Sequence, residues 1–148
     1  MTMWMKIGVL SGIIVLAGVG YHVITSKNEF TVSVEVDVLS GQPNPVWYLP
    51  ADDAAEIARL IEQLPADGEE TDSTNVGLLG FRGFIVRGLI LPRLGDHEHI
   101  TVFTDQVVIT KVGQDLQTVP DPEGSVHMAL RAKAKTHVSN EIYKSIPN

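Results

Sequence analysis

Eighteen consecutive residues without a formal charge, Ile7 to Ile24 (IGVLSGIIVLAGVGYHVI), constrain this chain more than any other feature. As a helix rising about 1.5 Å per residue, the run covers about 27 Å, close to the hydrocarbon thickness of a bilayer. Trp4 and Met5 extend it at one end, and Trp4 and Tyr21 are residue types that settle at a membrane–water boundary. A helix buried in a soluble core would need comparable apolar surface around it, and no later stretch is as long. The run therefore reads as a membrane segment, residues 7–24, inside an N-terminal unit of residues 1–27. Lys6 and the amino terminus resemble the basic start of a signal peptide. The best cleavage candidates, around Leu16-Ala17-Gly18 and Gly18-Val19-Gly20, are not clean A-x-A sites, and apolar character continues to Val23 and Ile24. An uncleaved signal anchor is the expectation, with a cleaved leader releasing a soluble exported ligand-binding module as the alternative. Lys6 against Lys27 and Glu29 leans toward a cytoplasmic N-terminus. The expected placement is a single-pass membrane protein whose C-terminal domain is periplasmic or extracellular. Gly8 and Gly12, with Ser11 beside them, form a G-x-x-x-G that suits close packing of membrane helices.

The remaining residues, 28–148, suffice for one hydrophobic core. Hydrophobic residues are 44% and charged residues 20% of the chain, which argues against wholesale disorder. The absence of cysteine excludes a disulfide scaffold, a thiolate metal site and a cysteine nucleophile. With 11 basic and 18 acidic residues the formal net charge is −7, the wrong sign for a non-specific nucleic-acid binder, so no nucleic acid is expected as a partner.

Phe30 to Leu39 alternates strictly: Phe30, Val32, Val34, Val36 and Val38 on one side, Thr31, Ser33, Glu35 and Asp37 on the other. Period two over this length predicts a strand with one buried and one wet face, as in antiparallel sheets. Ser40 to Pro50 reads as a loop stiffened by two X-Pro bonds. Ala51 to Leu64 predicts a helix, with Pro50 at its start, Asp52, Asp53 and Glu56 near its positive end, and Ile57, Leu60, Ile61 and Leu64 as one stripe. Pro65 ends it, and the acidic stretch from Ala66 to Val76 reads as a loop. Strands are predicted over Phe81–Leu91, with Gly83 and Gly88 as bends or bulges, over His99–Thr104 and over Val107–Val112, the last two joined by a tight turn. Gly113 to Gly124 reads as a loop. A helix follows from Ser125 to about Ser145, with a break expected near Val138-Ser139-Asn140. The expected class is α+β: a transmembrane helix, then a small, mostly antiparallel sheet with helices on one face.

The loop Ser40–Leu49 is the most distinctive segment. Pro43 and Pro45 preset the backbone around Asn44, and Trp47 and Tyr48 offer large amphipathic rings suited to recognition. The bland reading is a loop whose Trp47 plugs the end of the core. The run Ser40-Gly41-Gln42-Pro43-Asn44-Pro45-Val46-Trp47-Tyr48-Leu49 after an alternating strand resembles a segment, S-G-x-P-N-P-x-W-x-L, of a group of small bacterial exported or membrane-anchored proteins. Leu79-Gly80-Phe81-Arg82-Gly83-Phe84 resembles that group's second recurring segment, L-G-[YF]-R-G-F. The resemblance covers roughly residues 31–112 and implies export, with no activity attached.

Asp96-His97-Glu98-His99 is the best metal candidate, because alternate residues of an extended chain share a face and bring His97 and His99 together. A third ligand, His127 or His137, would have to come from the last helix, and a polar loop is the plainer reading. Asp67, Glu69, Glu70 and Asp72 do not follow the EF-hand spacing. Arg82 and Arg87, five apart, share a face only if a bulge shifts the register; either then pairs with a carboxylate or an anion. No G-x-S-x-G, Walker, H-E-x-x-H or C-x-x-C pattern is present. The resulting expectation is a non-catalytic accessory or interaction subunit that needs no cofactor. Its membrane contact is residues 7–24, its helix-packing residues are Gly8 and Gly12, and its partner-binding residues are Pro43, Asn44, Pro45, Trp47, Tyr48 and Arg82. The rival reading is a metal-dependent enzyme using His97 and His99.

Overall fold

The computed structural model describes residues 31–38, 41–65, 80–113 and 115–148. The segment assigned to the membrane, with Gly8 and Gly12, and the acidic stretch 66–76 read as a loop lie outside them. Among the described residues no helix is long and apolar enough to cross a membrane.

The alternating segment forms β1 (Val32–Val38), with its four valines inward and Ser33, Glu35 and Asp37 outward. Two elements read as loop in the sequence are strands. β2 (Val46–Leu49) pairs antiparallel with β1, Val34 opposite Trp47 and Glu35 opposite Val46. Its four residues alternate as strictly as β1, but Pro45 and Pro50 flank them and hide the signal. β6 (Leu116–Pro120) buries only Val119 well and owes its strand state to backbone pairing with β5. Between β2 and β3 (Phe81–Arg87) runs α1 (Ala51–Gln63). β4 (His97–Val102), β5 (Gln106–Lys111) and β6 continue as a meander, followed by α2 (Ser125–Ala134) and α3 (Asn140–Ser145). β3 stops at Arg87 rather than Leu91, because Gly88 turns the chain with φ +80°. The expected break in the last helix falls at residues 135–139, and Ser139 caps α3 through its side chain and the Ile142 N–H.

All six strands join one antiparallel sheet in the order β2-β1-β3-β4-β5-β6. The helices press their apolar stripes onto one face. Ile57 and Ile61 of α1, Val126, Leu130 and Ala134 of α2, and Ile146 after α3 share one core with the inward residues of the strands. Arg93 fastens the end of α1 to the sheet, pairing with Glu62 at 3.1 Å and donating to the Leu64 carbonyl at 2.9 Å. Lys133 of α2 reaches Asp53 and Glu56 of α1, both at 2.8 Å. Burial acts to lower its pKa, but hydrogen bonds to the two carboxylates outweigh this and leave it raised.

Candidate functional site

Because the described helices all serve one face of the sheet, the other face is a surface of outward strand residues. Register places Val46, Glu35, Ile85, Thr101, Val108 and Thr118 in one row across all six strands. Tyr48, Ser33 and Arg87 form part of the next row on the same face, which His99, Thr110 and Leu116 continue across β4, β5 and β6. Val108, in the middle of the row across all six strands, is 9% exposed and belongs to no part of the helix-covered core. Val46 and Tyr48 stand 56% and 65% exposed at the β2 edge.

The polar half of β1 organises the charged part of this face. Opposite Asp37 and Val38, β3 carries one extra residue, so that Asp37 pairs with Gly83 and Val38 with Phe81. Arg82 is that extra residue. The bulge brings Arg82 and Arg87 to the same face, where Arg82 pairs with Asp37 at 2.9 Å and Arg87 with Glu35 at 2.8 Å. Gly83 makes the bulge possible. Its φ is +132°, and a β-carbon there would lie 3.1 Å from the Val102 carbonyl oxygen.

Asn44 completes the network. Val36 N–H donates to the Pro45 carbonyl at 3.0 Å, and the next rung is supplied by a side chain: Val38 N–H donates to Asn44 Oδ1 at 3.2 Å. Asn44 Nδ2 donates to Glu35 at 2.8 Å and to Asp37 at 3.3 Å. The Glu35 carboxyl is consequently held below the ordinary glutamate range, first by the Asn44 hydrogen bond and then by that of Arg87. The guanidinium groups lie outermost, 46% and 47% exposed, above carboxylates that are 16% and 20% exposed. Each arginine therefore has its charge balanced from below and retains donors toward solvent.

Of the six residues the sequence offers for partner contact, Tyr48, Pro43 and Arg82 are exposed, while Asn44 and Pro45 are half-buried and engaged in the β1–β2 turn. Trp47 requires correction. It is 5% exposed and points into the core, edge-on to Phe84 at 6.4 Å and stacked on His137 at 5.4 Å. The period-two geometry of β2 allows only one of Trp47 and Tyr48 to face outward, and burial of the larger indole decides which. The segments around Asn44 and Arg82 meet at Asp37, and Trp47 meets Phe84.

His97 and His99 are not brought together. A bulge places His97 opposite Lys111 and His99 opposite Thr110, neighbours on β5 that point to opposite faces. His97 Nδ1 contacts the Gly95 carbonyl at 2.9 Å, and His99 Nε2 contacts the Thr110 hydroxyl at 3.2 Å. Among the described residues no group of three or more His, Asp or Glu side chains is placed to hold a metal ion.

His127, considered in the sequence only as a remote ligand, is 1% exposed between Phe81 and Phe84. Its Nε2 lies 3.0 Å from the Pro147 carbonyl, which fixes the proton on Nε2 and leaves Nδ1 without a partner. Burial lowers its pKa; the bond to Pro147 and the charge of Asp121 oppose the shift, and Arg131 adds to it. No protein-family model matches the chain, and no curated protein and no solved structure is significantly similar to it.

Proposed function

We propose that this chain is a membrane-tethered interaction subunit, without catalytic chemistry of its own, that offers the open face of its sheet to a larger protein or complex. One observation carries the reading. The six-stranded sheet has every described helix on one face, and its other face combines the exposed Tyr48 and Val46 with preorganised Arg82 and Arg87. Aromatic rings and arginines are the residue types that concentrate binding energy in protein interfaces. The apolar run Ile7–Ile24 supplies the tether, and its G-x-x-x-G suits a neighbouring membrane helix.

The test is purification of the full chain from membranes in mild detergent, beside a Tyr48→Asp variant. Tyr48 is exposed, so the variant folds. A partner held at constant stoichiometry by the natural chain and lost from the variant supports the reading. A chain that purifies alone, or one recovered in the aqueous fraction with residues 1–24 intact, contradicts it.

A further inference from the structure

Strand direction fixes which rim of the sheet lies nearest the start of the domain. Val32 faces Leu49 at the end of β2, and Ser33 faces Arg87 at the end of β3. His97 opens β4 opposite Lys111 at the end of β5, and Leu116 opens β6 opposite Thr110. Thr31 and Gly88 touch so closely that a β-carbon on Gly88 would stand 2.8 Å from the Thr31 carbonyl oxygen. One rim therefore gathers Thr31, the loop that follows Gly88, and the β5–β6 turn.

That rim exposes three large aliphatic side chains, Ile90 at 58%, Val112 at 67% and Leu116 at 60%. Ile90 and Val112 border the same shallow pocket of about 430 Å³, walled also by Leu89 and Leu91. The opposite rim, with the Phe103–Gln106 turn and the start of α2, carries fewer: Val46 opens β2 there at 56% and Met128 lies in the first turn of α2 at 49%. Six residues, Thr25–Phe30, separate the apolar run from Thr31. Fully extended they span about 20 Å, whereas β1 alone is about 23 Å long. A tether of that length keeps the Thr31 rim within about 20 Å of the headgroups.

We infer that the domain docks on the bilayer through this rim, with Ile90, Val112 and Leu116 entering the interface of the membrane that holds residues 7–24. The inference rests on the tether proposed above. The occupant is a lipid surface rather than an anionic patch. The rim's Asp96, Glu98 and Asp115 are exposed, while Arg93 is paired with Glu62 and Lys111 donates to the Leu94 carbonyl. Contact is therefore apolar and insensitive to salt.

The chain has no cysteine, so single cysteines at exposed positions label cleanly. The experiment places an environment-sensitive nitrobenzoxadiazole label at Ile90→Cys, at Val112→Cys, and at Thr104→Cys on the far rim. Each full-length chain is reconstituted into phosphatidylcholine vesicles. Labels at 90 and 112 are expected to be several-fold less quenched by iodide than the label at 104, and to be quenched by doxyl-labelled lipid at low and high salt alike. Chains that fail to sediment with vesicles overturn the tether and the docking together. Chains that sediment but leave 90 and 112 as open to iodide as 104 overturn the docking alone. Protection from iodide without quenching by lipid means a protein cover, such as a second copy, and also overturns it.

Discussion

Replacing Asn44 tests whether the Pro-flanked loop acts in the fold or only at a surface. Asn44→Ala removes the acceptor of the Val38 N–H at 3.2 Å and the donor to Glu35 at 2.8 Å and Asp37 at 3.3 Å. At about 1 kcal/mol net per part-buried hydrogen bond, the loss is about 2–3 kcal/mol. Asn44→Asp keeps an acceptor but places a third carboxylate against two. A like-charge contact near 4 Å in a mostly solvated setting adds about 1 kcal/mol per pair, and the retained acceptor returns about 1 kcal/mol, so Asp is about 1 kcal/mol worse than Ala at pH 7. The sign with pH follows from linkage. The new carboxyl has a raised pKa in the folded state, so its penalty is full at neutral pH and vanishes as pH falls below the ordinary aspartate value of about 3.9. Glu35 behaves oppositely. Its depressed pKa stabilises the fold above the ordinary glutamate value and the benefit is lost as pH falls through the folded value; in Asn44→Ala that pKa rises toward normal. Urea denaturation of residues 28–148 reads the energies directly, because Trp47 is the sole tryptophan in that span and is buried. The reasoning is refuted if Asn44→Ala lies within about 0.5 kcal/mol of the natural domain, or if the Ala–Asp gap is the same at pH 7 and pH 3.5.

Adjacent aromatic residues are expected to behave in opposite ways: Trp47→Ala costs about 3–5 kcal/mol in the same denaturation assay, whereas Tyr48→Ala stays within about 0.5 kcal/mol. Gly88→Ala is expected to cost about 2 kcal/mol or more, from a left-handed φ of +80° and a β-carbon 2.8 Å from backbone, measured as a drop in thermal midpoint. His127 has a depressed pKa in the fold, so the unfolded chain takes up its proton first and stability declines as pH falls below the ordinary histidine value of about 6.5. Exchanging His127 for Gln removes that part of the pH slope, which a series of denaturation midpoints from pH 8 to 5 resolves. Zinc titration of the domain followed by NMR is expected to show no site that disappears in both His97→Ala and His99→Ala, since β4 sends the two rings to opposite faces.

Much of this fold is written locally. The period of two in Phe30–Leu39 and the stripe Ile57, Leu60, Ile61, Leu64 each depend on residues close in sequence, and both elements lie where periodicity puts them. The bulge that Arg82 and Arg87 require in order to share a face is present for the reason their spacing implies. β2 and β6 escape the same treatment. Four residues between prolines offer too short a window, and Leu116–Pro120 has no apolar rhythm, so only backbone pairing with the strand before it, β1 for β2 and β5 for β6, makes either one a strand. The role of Asn44, and the choice between the two readings of Trp47 and of the two histidines, lie beyond local sequence for a related reason. Each is decided by register, by which residue stands opposite which, and register is a property of the assembled sheet.

The most direct measurement is photocrosslinking from the open face in native membranes. A benzophenone side chain is placed at Tyr48 of the full-length chain and, as a control, at Thr136, an exposed position beyond the end of α2. The expected result is one discrete adduct from position 48, abolished by a charge reversal at neighbouring Arg87, and none from position 136. No adduct at 48, or equal adducts at both positions, contradicts the use of the open sheet face as a docking surface.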